Sequence, residues 1–197
     1  MDQKIVILDT ADILFSSMTA NDETEQIEKG FSLLVERIED LKEKKEALKK
    51  KILEQDALLL QKMGASAVPV VKSIGINMME KGKLDQKGEV YDAQFSKQKM
   101  IVLGKVEPDS YRPDDVNKKV QDQFCLLAED GKFYEIMYSS DGFVIDSFLN
   151  PLQPKDVLDI YGNEVLFMLY RAMKDYLQEE RDFVEALEKV FAYIVEK

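Results

Sequence analysis

From Ile27 onward the apolar residues recur at alternating steps of four and three: Ile27, Phe31, Leu34, Ile38, Leu41, then Lys45, then Leu48 and Ile52, with Gln55 and Leu59 continuing the series. This spacing lines one seam of an α-helix, with Leu34, Leu41 and Leu48 at d of a heptad and Phe31, Ile38, Lys45 and Ile52 at a. Asn21 or Asp22 supplies an N-cap, and the acids of "NDETE" suit the positive end of the helix dipole. The pattern predicts a helix from about Asp22 to Met63, stopped at Gly64. Such a stripe serves either a coiled coil or an ordinary amphipathic helix packed on its own domain.

A second stripe runs through Leu166, Leu169, Met173, Tyr176, Glu180, Phe183, Leu187, Val190 and Ile194, with Asn163 placed to cap it after Gly162. Each stripe is broken once by a charge, Lys45 in the first and Glu180 in the second. Residues 42–51 hold six lysines and two glutamates, net +4, whereas residues 174–189 hold three cations and six acids, net −3. Lys45 and Glu180 are therefore a candidate register pair, which would fix alignment more than it would add stability. Lys45 reaching water from the seam edge is the other reading.

The middle of the chain has a β texture. Residues 123–149 contain three apolar and aromatic runs separated by Asp130-Gly131 and Asp141-Gly142, the preferred residues of tight hairpin turns. They predict a three-stranded antiparallel meander with Phe133 and Met137 on one face and Tyr134, Ile136 and Tyr138 on the other. Residues 99–106 are expected to add a fourth strand, and the C-terminal helix to cover the apolar face. A short helix is expected from about Pro154, closed by Gly162. Residues 66–83 read as a short apolar helix with Pro69 in its first turn or as a hinge at Gly75, and the stretch after them as an exposed connection.

The expected fold class is α+β: long, coiled-coil-like N-terminal and C-terminal helices flanking a small antiparallel β-meander. The segments are an N-terminal stretch (1–23), the heptad helix (24–63), a helical or loop connection (64–98), and a sheet covered by C-terminal helices (99–197). The helix, sheet, helix order is similar to that of the prefoldin chaperone subunits, whose terminal helices pair while central hairpins oligomerise. Chain length and residues 66–122 depart from that pattern.

Composition narrows the chemistry. A formal charge of −11 and only four arginines among 27 basic residues disfavour nucleic acid, anionic membrane and bidentate phosphate recognition. With no histidine, the commonest general base and metal ligand are missing. The single cysteine, Cys125, lies in an expected strand and reads as a core thiol. No glycine-rich phosphate loop is present. No apolar run has the length of a signal peptide or a membrane span, so the expected location is cytoplasmic.

Two short stretches carry candidate chemistry. "KIVILDTADILF" resembles the opening strand of PIN-domain ribonucleases, a resemblance that implies a divalent-metal role for Asp9. The long heptad helix that follows and the antiparallel β signal depart from that family, and Asp9 also reads as the cap of a short helix over residues 10–18. "DSYRPDD", residues 109–115, offers Tyr111 and Arg112 as a candidate recognition loop, these being residue types that dominate interface hot spots; a solvated turn is the plainer reading.

The functional expectation is a non-catalytic interaction, scaffold or adaptor protein with no cofactor and no metal. It acts through the seam Ile27, Phe31, Leu34, Ile38, Leu41, Lys45, Leu48 and Ile52 on a protein partner or on itself. Leu at d with β-branched residues at a favours a parallel pair, hence a homodimer. The alternative is a small-molecule-binding or enzyme domain with a pocket between sheet and C-terminal helix, lined by Tyr134, Tyr138, Tyr170 and Tyr176.

Overall fold

The computed structural model describes residues 20–108 and 111–195. Asp9 and the expected helix over residues 10–18 lie outside the described residues. The chain divides into two compact units between Lys50 and Lys51.

Helix α1 spans Ala20–Ile74 and contributes to both units. It does not stop at Gly64, and Pro69 lies inside it. The reason is packing: Leu60, Ala67 and Val71 are all buried in the core of the second unit, and that burial holds the last turns helical against the local preferences of Gly64 and Pro69. The break comes at Gly75, where a Cβ would lie 2.4 Å from the Val71 carbonyl oxygen. The expected short helix over residues 66–83 is thereby divided between the end of α1 and the first strand.

The second unit is built on five strands: β1 Ile76–Leu84, β2 Val90–Val106, β3 Asp122–Ala128, β4 Phe133–Ser140 and β5 Val144–Leu152. Each is antiparallel to its neighbours, and β1 also pairs with β5, so the sheet is a closed barrel rather than an open meander. The expected connection after residue 83 is a β-hairpin. The Asp85 carboxylate accepts from the Lys87 and Glu89 amides, and Gly88 turns the chain with φ +80°. Closure depends on β2, whose first half pairs with β1 and whose second half pairs with β3, Met100 facing both Ile76 and Ala128. Irregularities along β1 and at Val102/Gly104 bend the sheet on itself.

The three-stranded pattern of residues 123–149 is present with the expected turns, Gly131 and Gly142 both having positive φ. Side chains alternate between two cores. Leu126, Ala128, Ile136, Tyr138 and Met100, joined by Tyr134, form a cluster drawn from strands alone, the barrel interior. Cys125, Leu127, Phe133 and Leu103 face the other way and are covered by helices. The predicted split of Phe133 from Tyr134, Ile136 and Tyr138 follows this alternation.

Helix α2, Pro154–Tyr161, ends at Gly162, and α3 runs Glu164–Val195. Val165 and Leu169 anchor α3 in the outer core beside Leu60, Val71 and Val157. Asn163 precedes the first turn of α3 and its side chain donates to Asp56 (3.5 Å), while Tyr176 Oη donates to Ser73 Oγ (3.4 Å). The contacts pair early with early and late with late, so within this unit α3 and the last turns of α1 run in the same direction.

Candidate interaction surface

In the first unit every residue from Thr24 to Lys50 is exposed. Ile27 and Phe31 are each 67% exposed, Leu34 58%, Ile38 50%, Leu41 64% and Leu48 50%. The 3.6-residue period of the helix aligns these six along one side. The flanks of the stripe are charged: Glu28, Lys42 and Lys49 on one edge, Arg37 and Lys44 on the other. Lys29 pairs with Glu25 (2.7 Å) and Lys49 with Glu46 (3.0 Å) on the exposed surface. Ile52, the last residue of the expected seam, belongs to the second unit and is also exposed. Lys45 belongs to the first unit and Glu180 to the second.

The second unit carries its own uncovered stripe, Phe183, Leu187, Val190 and Ile194 on α3, all more than half exposed. Sequence periodicity found both stripes; it did not distinguish the part of α3 buried on the barrel from the part left in water.

The Tyr111–Arg112 loop is divided in its roles. Tyr111 is exposed, and its backbone bridges to Lys119. Arg112 is buried: its Nε and Nη2 donate to the two Asp114 oxygens at 2.9 and 2.5 Å, and its Nη1 donates to Asp146 at 2.7 Å. The guanidinium also lies over the Phe148 ring, and Lys118 joins it on Asp146. These hydrogen bonds, Asp114's first among them, hold the arginine charged and lower the Asp114 pKa below the usual carboxylate range. Arg112 thus fastens its loop to β5. Asp146, its far partner, carried no local sequence signal because it is 34 residues away.

A buried polar group on the helix-facing side, Glu135, likewise has no local sequence signature. Glu135 accepts from Gln123 Nε2 (2.5 Å) and Tyr161 Oη (2.9 Å), tying β3, β4 and α2 together. Burial and this carboxylate raise the pKa of the Tyr161 hydroxyl, and burial first, then Glu135, pushes the Cys125 thiol up to about 12. Cys125 is therefore an inert core residue.

The four tyrosines of the alternative pocket do not converge. Tyr134 and Tyr138 belong to the barrel-interior cluster, with hydroxyls donating to Asp130 and to the Met79 carbonyl. Tyr170 is exposed on α3, and Tyr176 bonds Ser73. Among the described residues no group of three or more acidic or cysteine side chains is placed to hold a metal ion, and no helix is long and apolar enough to cross a membrane. Comparison with protein-family models, curated proteins and solved structures gives no match to this chain.

Proposed function

We propose that this protein is a non-catalytic interaction or scaffold protein that self-associates through the apolar seam of its N-terminal helix. The observation that carries this reading is the run from Thr24 to Lys50, helical and wholly exposed while presenting six large apolar side chains in register. A lone helix is marginal in water, because its nucleation cost is normally offset by burying an amphipathic face. A stripe of this length matches a two-stranded helical interface. The barrel unit has buried cores of its own and serves as the body that the helix brings to its partner. A pairing of the seam with α3 through Lys45 and Glu180 is the competing arrangement of the same surface.

The test is the mass of the full chain in solution. Wild type is expected to sediment as a dimer over micromolar concentrations. A variant with Leu34→Asp and Leu41→Asp is expected to sediment as a monomer while the barrel keeps its cooperative thermal transition. Equal masses for the two proteins would remove the proposal.

A further inference from the structure

Resting on the self-association reading above, we infer that the two copies of α1 pair antiparallel, with Phe31 packed on Leu41 and Leu34 on Ile38 of the second copy. The composition of the seam alone points to a parallel pair, but the charges beside it oppose that. In a parallel heptad pair, each g residue faces the e residue five positions further along the other helix. Arg37 would then meet Lys42, and Lys44 would meet Lys49, each contact occurring twice, while Lys45 would face its own copy inside the seam. Like charges in these places disfavour the pair.

Reversing one helix makes each flank meet itself. With Phe31 opposite Leu41, Glu28 comes to face Lys42 of the second copy, and Val35 faces Val35. Lys45 falls opposite Ile27 at the margin of the paired stretch, beside Glu28 and close to water. The cost is one like-charge approach, Arg37 to Arg37, at the centre. Residues 24–28 contain two acids and no base, and residues 42–51 carry net +4, so the ends that meet are of opposite charge. All the apolar partners involved are exposed in the single chain, and nothing within the first unit need unfold to admit the second copy. The arrangement also accounts for the lysine in the stripe: Lys45 reaches Glu28 of the second copy when the helices are antiparallel and opposes itself when they are parallel.

The full-length chain tests this in two ways. Variants Phe31→Cys and Leu41→Cys, each adding one exposed cysteine to the buried Cys125, report orientation when oxidised separately and as a mixture. Cross-linking in the mixture only is expected; efficient cross-linking of Leu41→Cys alone would mean a parallel pair and overturn the inference. The charge variant Lys42→Glu has opposite signs in the two arrangements. It is expected to weaken the dimer roughly ten-fold by setting a carboxylate against Glu28, whereas a parallel pair would tighten as the introduced carboxylate meets Arg37. Tighter or unchanged association therefore sinks the antiparallel register, as does rescue of a Lys45→Glu defect by Glu180→Lys, which would name α3 as the occupant. A wild-type chain that is monomeric at every concentration would instead remove the self-association reading itself.

Discussion

Leu41 and Leu33 are a matched pair for testing whether the seam, rather than general greasiness, drives association. They lie on the same helix with similar exposure, 64% and 59%, but only Leu41 occupies a seam position. Complete burial of a leucine relative to full exposure stabilises by about 1.5–3 kcal/mol. Leu41 has roughly two thirds of that still to gain, or about 1–2 kcal/mol per copy, and a dimer counts it twice. Allowing for the methyl that alanine keeps, Leu41→Ala should cost about 1.5–3 kcal/mol of association, roughly a 10- to 150-fold rise in Kd. Leu33→Ala should stay within about two-fold, since its side chain faces water in both states. The prediction holds for either helix orientation, because Leu41 meets an apolar residue in each. Sedimentation equilibrium across a concentration series reads Kd directly, and helix content by circular dichroism at each concentration shows whether association orders the helix. Equal effects of the two substitutions would show that the heptad assignment is wrong, and no effect of either would place the interface elsewhere.

Three further outcomes follow from the barrel unit. Asp114→Asn should destabilise the fold by about 0.5–1 kcal/mol near neutral pH, a figure reduced from that of a buried charged hydrogen bond because the carboxylate is exposed. Its folded pKa is lowered, so the contribution is complete above the unfolded value near pH ~4 and is lost as pH falls through the folded value; denaturant melts of variant and wild type should converge in acid, and a constant gap would contradict the Arg112 pairing. Cys125 should resist iodoacetamide at about pH 8 in the native protein and react fully in denaturant, as mass spectrometry would show; native labelling would mean that the outer core opens. Gly75→Ala should cost about 1–3 kcal/mol, because its Cβ would press on the Val71 carbonyl where α1 ends; a thermal transition equal to wild type would show that this junction relaxes freely.

Local patterns specified a good part of this molecule. The 4-3 spacing marked both long helices, Asp130-Gly131 and Asp141-Gly142 marked the hairpins, and Pro154 with Gly162 bounded α2. Each of these signals is complete within a few residues, so a single chain suffices to read it. The candidate surface was legible for the same reason, since a heptad stripe is a property of spacing alone.

Barrel closure was decided by tertiary structure. "INMMEKGKL" has little intrinsic β preference and becomes β1 because β2 on one side and β5 on the other supply its hydrogen bonds. Gly64 and Pro69 stay inside α1 because Leu60, Ala67 and Val71 are held in the core beneath them. Arg112 finds Asp146, and Glu135 finds Tyr161, across 34 and 26 residues, separations that only the folded sheet brings within hydrogen-bond reach. Periodicity shows which face of a helix is apolar; whether that face is already covered depends on where the rest of the chain goes. Along α3 the two cases meet in one helix, with Leu169 buried on the barrel and Phe183 left in water.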